Sequence, residues 1–272
     1  MSAVAICTDS SALFPAGLAE RLGVTVVPIT ITLDGVPFEE RDDAIDDFYT
    51  RLSAGAEVTT SQPSPGAFLT AYTDAAASGA SEVLSIHLDA RVSGTCGSAE
   101  LAAREAPIPV TVVDTRTVSF GVGVCVRAAA EAIAAGASSA SDAVAAVGRV
   151  RATLKNVFVA HARPRGRLSE ASGWSLLEFA AGKVEPGAAC DALSEAIEAM
   201  AARLFEEEPP LRVAVGHAAP STQPAADALA LSLASISNVV EVERYRVGAA
   251  VGAHTGGLSF GGFWWPMPVC RA

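Results

Sequence analysis

The alternation of short β-branched runs with helical patterns most constrains what this sequence can fold into. Residues 4–8, 83–88 and 110–113 are typical of strands, and Ala-rich helical stripes separate them along the first half of the chain. Strands that alternate with helices indicate β-α-β units and a parallel sheet. The first half is therefore predicted to be an α/β lobe built on a parallel sheet.

Local signals give the remaining elements of this lobe. Gly23 ends a short helix, and Asp34-Gly35 predicts a turn after a strand over 24–33. Ser64 followed by Pro65 is typical of a helix start, since serine caps the first turn and proline is tolerated there. Further helices are predicted from Ser93-Gly94-Thr95 to about 104, over 119–135 and over 139–153.

The pattern changes near residue 155, and a chain of 272 residues is long enough for two modest domains. A strand over 157–160 leads into a basic loop, 163–167, typical of a boundary or hinge. We predict domains at 1–155 and 156–272, the second a smaller α/β lobe. Its predicted elements are an amphipathic helix through Leu193 and Leu204, a strand over 211–216, a helix over 223–235, and strands over 239–245 and 249–253.

Composition excludes several classes of function. A net charge of -11 and a pI near 4.8 disfavour nucleic acid, which is bound by clustered basic residues. Charges interrupt every long apolar run, so no integral membrane contact is predicted. The start of the chain lacks a secretion signal and the five cysteines form no C-x-x-C pair, which indicates the cytoplasm. The dispersed histidines predict no metal, and no nucleotide-binding motif is present, so no cofactor is expected.

Four polar clusters fall just after predicted strands, where parallel sheets bind ligands: 8–11, 93–95, 114–115 and 254–257. Ser93-Gly94-Thr95 opens a helix, so backbone N–H groups and hydroxyls there suit an anion, although an ordinary helix cap is an equally valid interpretation. The same ambiguity applies to 59–64. His254 is either a carboxylate donor or a residue of a core or turn. Arg163, Arg165 and Arg167 form either an anion site or a solvated loop.

Residues 257–261 match G-x-S-x-G, the nucleophile elbow of α/β hydrolases. That motif requires an acidic residue and then a histidine further along the chain. The residues after Gly261 contain neither Asp, Glu nor His, so a serine hydrolase with Ser259 as nucleophile is disfavoured.

Seven short motifs in order resemble the DegV family: Ile6-Cys7-Thr8-Asp9-Ser10-Ser11, Val26-Val27-Pro28-Ile29, Thr60-Ser61-Gln62-Pro63-Ser64, Ser93-Gly94-Thr95 with Ser98-Ala99, Val113-Asp114-Thr115, Gly166-Arg167-Leu168 and Gly252-Ala253-His254-Thr255-Gly256-Gly257. The resemblance implies a two-lobed α/β protein that binds a long-chain fatty acid between its lobes. It further implies a FakB-like carrier, a non-catalytic subunit that presents the carboxylate to a fatty acid kinase. By this resemblance the ligand-binding residues are Thr60, Ser61, Ser93, Gly94, Thr95, Arg167, His254 and Thr255.

The sequence departs from the family pattern near the expected kinase-docking region. Arg165-Gly166-Arg167 stands where Gly-Gly-Arg is common, and the segment 175–186 carries no Lys-x-Arg stretch. Ligand binding therefore carries over better than docking to a kinase. Two rival functions remain open from the sequence: an enzyme acting on a small carboxylate, and a regulatory protein without bound ligand.

Overall fold

The protein is described by a computed structural model over residues 4–160, 173–205, 207 and 210–267. The strands are β1 Val4–Asp9, β2 Val24–Val27, β3 Thr30–Leu33, β4 Val36–Phe38, β5 Val58–Ser61, β6 Glu82–His87, β7 Val110–Asp114, β8 Lys155–Val159, β9 Trp174–Ala180, β10 Lys183–Cys190, β11 Leu211–His217, β12 Val239–Arg246 and β13 Phe260–Pro266. The helices are α1 Leu18–Leu22, α2 Ile45–Ala54, α3 Pro65–Ala77, α4 Thr95–Ala103, α5 Phe120–Ala134, α6 Ala140–Thr153, α7 Leu193–Phe205, α8 Gln223–Ala234 and α9 Ala249–Thr255.

The described chain divides into two compact units. Unit 1 holds the residues up to Thr32 together with Val36–Phe38 and Thr59–Ala152, and unit 2 holds Leu33–Gly35, Glu39–Val58 and the described residues from Thr153 onward. The predicted domains, 1–155 and 156–272, are continuous, whereas unit 2 also includes the segment that carries α2. With that segment, the described parts of the two units are similar in size.

Unit 1 is a parallel sheet with helices on both faces. Its strand order is β2-β1-β6-β7, and every adjacent pair is parallel. One face packs on α5 and α6 through apolar residues such as Ile86 and Val122, and the other packs on α3 and α4 through residues such as Phe68 and Ala99. A parallel sheet covered on both faces explains why its strands read as continuous apolar runs. The parallel-sheet lobe predicted for the first half is confirmed.

The helix starts and turns of unit 1 follow the local signals. The Ser64 hydroxyl accepts a hydrogen bond from the Ala67 backbone N–H at 3.2 Å, and Pro65 begins α3. Gly23 ends α1 in the left-handed conformation that glycine favours. These parts of the sequence-based prediction are confirmed.

The single strand predicted over 24–33 is wrong. It consists of β2, in the parallel sheet, and β3, in a separate three-stranded sheet of order β4-β3-β5. Pro28 follows β2, and proline has no backbone N–H to continue a ladder. Asp34 and Gly35 form the predicted turn between β3 and β4, with φ values of 52° and 77°.

Unit 2 is built on a mixed six-stranded sheet of order β10-β9-β8-β13-β11-β12. Only β11 and β12 are parallel; the other adjacent pairs among the described strands are antiparallel. Helices α7 and α8 pack on it through residues such as Met200 and Leu229. The strand predicted over 249–253 is wrong: these residues belong to helix α9. The strand β13, which lies in the middle of the sheet, was not predicted.

Candidate ligand-binding site

The segment Ser93-Gly94-Thr95 lies at the start of α4, in the loop that follows β6. The Ser93 hydroxyl oxygen accepts from the Thr95 backbone N–H at 3.3 Å and lies 2.8 Å from the Thr95 hydroxyl oxygen. The first of these contacts joins Ser93 to the residue two positions further on, which is the pattern of a serine turn rather than of a helix cap. The N-cap position of α4 is Gly94, and no side chain caps it.

This turn does not use up the donors of the hydroxyl pair. Ser93 and Thr95 together carry two O–H protons, and the hydrogen bond between their oxygens uses one of them. Whichever hydroxyl donates within the pair, the other keeps a proton that the pair does not need. The ordinary helix cap that the sequence offered as the alternative role is not formed by the Ser93 side chain.

The start of α4 also offers favourable charge to an anion. Backbone N–H groups in the first turn of a helix have no acceptor within the helix, and the helix dipole places partial positive charge there. Gly94 is exposed and Ser93 is partly buried, whereas Thr95 is fully buried. An anion can therefore approach Gly94 and Ser93 while Thr95 holds the Ser93 hydroxyl from below.

The second hydroxyl-rich segment, 60–64, connects β5 to α3. Thr60 and Ser61 end β5, Thr60 partly buried and Ser61 exposed, and Ser64 caps α3. This segment belongs to unit 1, as does Ser93-Gly94-Thr95. The two segments thus precede neighbouring helices that pack on the same face of the sheet.

The Gln62 side chain joins the two segments. A β-carbon built at Gly94 would lie 2.6 Å from both the Nε2 and Oε1 atoms of Gln62 and 2.7 Å from its Cδ. The amide of Gln62 therefore occupies the space that any larger residue at position 94 would need. Gln62 was not among the predicted site residues. Gly94 was the sequence signal for a close contact at this position, because glycine marks places where another group approaches the backbone closely.

His254 and Thr255 end helix α9 in unit 2. His254 was expected in a loop after a strand, but it lies in the last turn of a helix. Desolvation lowers the pKa of His254 below its ordinary value, so the imidazole is neutral at pH 7 and still offers one N–H donor. At the other end of α9, the Glu40 carboxylate accepts from the N–H groups of Ala249 and Ala250, and burial raises the pKa of Glu40 to about 7.

Arg167, the cation of the predicted set, lies outside the described residues, as do Arg163 and Arg165. The structure therefore brings together the members of the set that lie in 60–62 and 93–95, through Gln62 and Gly94. His254 and Thr255 are described within unit 2 alone.

Two of the four polar clusters are structural rather than open to a ligand. Asp9 is fully buried and accepts from the Ser11 and Leu88 backbone N–H groups. Asp114 accepts from the backbone N–H groups of Ala90 and Arg116. These carboxylates order the loops at the carboxyl edge of the parallel sheet.

Ser259 of the G-x-S-x-G motif is unsuited to nucleophilic attack. It is 4% exposed, its hydroxyl donates to the Gly256 carbonyl oxygen at 3.0 Å, and its oxygen lies 3.0 Å from that of Thr255. No imidazole is among its hydrogen-bond partners in the described residues. The motif forms the turn between α9 and β13.

Within 4–160, 173–205, 207 and 210–267, no group of three or more His, Cys, Asp or Glu side chains is placed to hold a metal ion. Over the same part of the chain, no helix has the length and apolar character needed to cross a membrane. The described cysteines are Cys7, Cys96, Cys125 and Cys190; all are buried free thiols.

A parallel sheet with helices on both faces places this protein in the class of α/β proteins, whose ligands commonly bind at the carboxyl ends of the parallel strands. Comparison with known proteins specifies it further. The family model described as "Uncharacterised protein, DegV family" matches residues 3–266. A DegV domain-containing protein of Streptomyces coelicolor is 36% identical, with 93% of this chain and 95% of that protein covered. This chain belongs to the DegV family.

Solved structures of the family share the fold. A fatty-acid-binding DegV family protein from Thermus thermophilus matches with a TM-score of 0.88 and 30% identity, over 97% of this chain and 100% of that one. DegV from Bacillus subtilis, described as a fatty acid binding protein, matches with a TM-score of 0.86 and 26% identity, over 98% and 100%. The expected DegV fold is confirmed.

Proposed function

We propose that this protein is a fatty-acid carrier that holds the ligand's carboxylate at the start of α4. The observation that carries the proposal is the contact of Gln62 with Gly94, which joins two hydroxyl-rich segments beside the first turn of one helix. Family members from Thermus thermophilus and Bacillus subtilis are described as fatty-acid-binding, which supports this ligand.

The chemistry of the segment fits a carboxylate. A fatty-acid carboxyl group has an unperturbed pKa of about 4 to 5 and is ionised at pH 7. Removing it from water requires hydrogen-bond donors and preferably a cation. In the proposed site Ser93 and the α4 amides donate together with Thr60 and Ser61, while the buried Thr95 holds the Ser93 hydroxyl. Arg167, His254 and Thr255 are ligand-binding residues that the resemblance to the DegV family implies.

The acyl chain would supply most of the affinity. Each methylene removed from water contributes about 0.8 kcal/mol, so a long chain contributes roughly 10 kcal/mol before ordering costs. The carboxylate donors then fix the orientation of the ligand and add specificity for an acid. A ligand held in this way is expected to remain bound during purification.

The binding role of the Ser93 hydroxyl can be tested against its role in the turn before α4. Ser93→Ala removes a hydrogen bond to a charged group, which costs about 1.5 to 3 kcal/mol and weakens binding roughly tenfold or more. Ser64→Ala is the matched control, because it removes a serine cap from α3. Calorimetric titration of delipidated protein with a long-chain fatty acid should show a loss of affinity for Ser93→Ala alone.

Ser64→Ala should lose about 1 kcal/mol of stability, as expected for a lost cap, and Ser93→Ala less, because the hydrogen bond of a serine turn is weaker. Equal affinities for the wild type and Ser93→Ala would show that the Ser93 hydroxyl only orders the turn before α4.

We further propose that the carrier is not itself an enzyme and presents the carboxylate to a separate fatty acid kinase. The isolated protein, loaded with fatty acid and given ATP, should form no acyl phosphate, and a purified fatty acid kinase should restore it. If the kinase forms no acyl phosphate from the loaded carrier, the kinase part of the proposal is wrong. The fatty-acid-binding part would not be affected.

A further inference from the structure

A chain of four fully buried polar side chains runs through unit 1 beneath the loops of the proposed site. The Tyr72 hydroxyl oxygen lies 2.8 Å from that of Ser85, Ser85 Oγ lies 2.6 Å from His87 Nε2, and His87 Nδ1 lies 2.9 Å from Asp9 Oδ2. Each of the four side chains is fully buried, with an exposed fraction of 0%. The proposed function uses none of them.

The direction of the hydrogen bonds along this row of buried side chains follows from the residues at its two ends. An Asp9 carboxylate can only accept, so His87 Nδ1 carries the proton that it shares with Asp9. His87 Nε2 then accepts from the Ser85 hydroxyl, which in turn accepts from Tyr72. Burial raises the pKa of Tyr72, which keeps its hydroxyl protonated as the donor at the far end. Every member has a hydrogen-bond partner when His87 Nδ1 donates to Asp9 and Nε2 accepts from Ser85.

Ser85, His87 and Asp9 are connected in the order of a hydrolase triad, but they have no access to a substrate. All three are inside the unit, and the Ser85 hydroxyl is held by Tyr72 and His87 at once. A buried polar network whose members are all satisfied rigidifies its surroundings. Its effect must therefore be sought in the loops that it contacts.

These buried side chains contact residues that neighbour both hydroxyl-rich segments in the sequence. Asp9 Oδ2 accepts from the backbone N–H of Leu88, the first residue of the loop that leads to Ser93. The His87 ring meets the edge of the Phe68 ring, with centroids 4.9 Å apart, and Phe68 lies in the first turns of α3, just after the segment 60–64. His87 is thus fixed between the helix that follows one segment and the loop that precedes the other.

We infer that His87, held by Asp9, is a positioning residue that sets the spacing between the segments 60–64 and 93–95 and so determines carboxylate affinity. The inference rests on the proposed function. This inference assigns different roles to the residues at the two ends of the buried row of side chains. Contacts at Asp9 and Leu88 control the loop before Ser93, whereas the Tyr72 hydroxyl lies at the opposite end and contributes stability alone.

Three variants separate positioning from general destabilisation. His87→Leu removes both polar contacts of the ring, His87→Asn restores a donor near the Nδ1 position, and Tyr72→Phe removes only the terminal hydroxyl at nearly constant volume. In calorimetric titrations with a long-chain fatty acid, His87→Leu should lose affinity tenfold or more, and His87→Asn should recover most of it. Tyr72→Phe should bind like the wild type although it melts earlier.

Nuclear magnetic resonance of the fatty-acid-free protein gives a second readout. In the wild type, His87 Nδ1 should carry a proton that is hydrogen-bonded to Asp9. The backbone amide signals of Ser93, Gly94 and Thr95 should move in His87→Leu and stay in place in Tyr72→Phe. Should His87→Leu fail to fold, Asp9→Asn takes its place, because it leaves the ring and disturbs only the carboxylate contacts.

The inference is overturned if a folded His87→Leu binds with wild-type affinity, if asparagine restores nothing, or if Tyr72→Phe loses as much affinity as His87→Leu. If the wild type itself binds no fatty acid, the proposed function fails. The amide signals then still decide whether His87 positions the loop.

Discussion

At the scale of single residues, position 94 shows how a small change can report on the site. The Gln62 amide lies where a β-carbon at Gly94 would be, and Gln62 is an exposed, flexible side chain. A methyl group there would move Gln62 rather than the backbone. The cost to folding is therefore small, whereas the junction between the two hydroxyl-rich segments is lost.

Gly94→Ala is expected to weaken fatty-acid binding several-fold with little loss of stability. Gly97→Ala is the control, since Gly97 lies in the same helix and a β-carbon there would meet no atom within 4 Å. Alanine is favoured over glycine inside a helix by about 0.5 to 1 kcal/mol, so Gly97→Ala should melt later and bind normally. Titration calorimetry and thermal melts of the two variants check these expectations. Normal binding by Gly94→Ala would show that Gln62 is not part of the site.

At the scale of elements, the sequence predicted best where a local signal decided the structure. Ser64-Pro65 begins α3, Gly23 ends α1 and Asp34-Gly35 forms a turn, each by the chemistry of one or two residues. The strand predicted over 249–253 failed because this short apolar run is too brief to show a period. What makes it a helix includes Glu40, which caps its first N–H groups from more than 200 positions away.

The same difference between local signals and long-range contacts applies to the candidate site. Ser93-Gly94-Thr95 was predictable because glycine and hydroxyl residues before a helix carry their own signal. The role of Gln62 was not, since it depends on the contact with Gly94 at the start of another helix. The buried pair of Asp9 and His87 was not predictable either, since pairing between β1 and β6 brings these residues, 78 positions apart, into contact. Strand β13 was not predicted; its place in the sheet depends on pairing with β8 and β11, which are distant in the sequence.

The turn between α9 and β13 yields a prediction about catalysis. Because the Ser259 hydroxyl is buried and donates to Gly256, the purified protein should not hydrolyse model esters, and Ser259→Ala should leave that background unchanged. A chromogenic ester assay over several chain lengths measures this. Ester turnover abolished by Ser259→Ala would mean that the turn opens to form an active site.

At the scale of the whole molecule, stability should depend on pH through His217 in unit 2. Desolvation, with the charges of Arg246 and Arg244, lowers the pKa of His217 to about 4. Its two ring nitrogens are buried and have no hydrogen-bond partner among the described residues. The folded protein therefore resists protonation that the unfolded chain accepts near pH 6.5, and stability is lost as pH falls from about 6.5 towards 4.

His217→Gln removes this titration without removing the side chain. Relative to the variant, the wild type should lose about 1 to 2 kcal/mol of unfolding free energy between pH 7.5 and pH 4.5, a value reduced from the full shift because the residue is partly exposed. Urea unfolding at both pH values measures it. The comparison cancels the contribution of Glu40, whose raised pKa acts in the opposite direction. A difference that does not change with pH would contradict the assignment.

The central claim is that this molecule carries a fatty acid. Mass spectrometry of an organic extract from the purified protein tests it most directly, with extract of a Ser93→Ala preparation as the comparison. The account predicts long-chain fatty acid in near-stoichiometric amount from the wild type and less from the variant. An extract without fatty acid, from protein that also takes up none when it is added, would contradict the account.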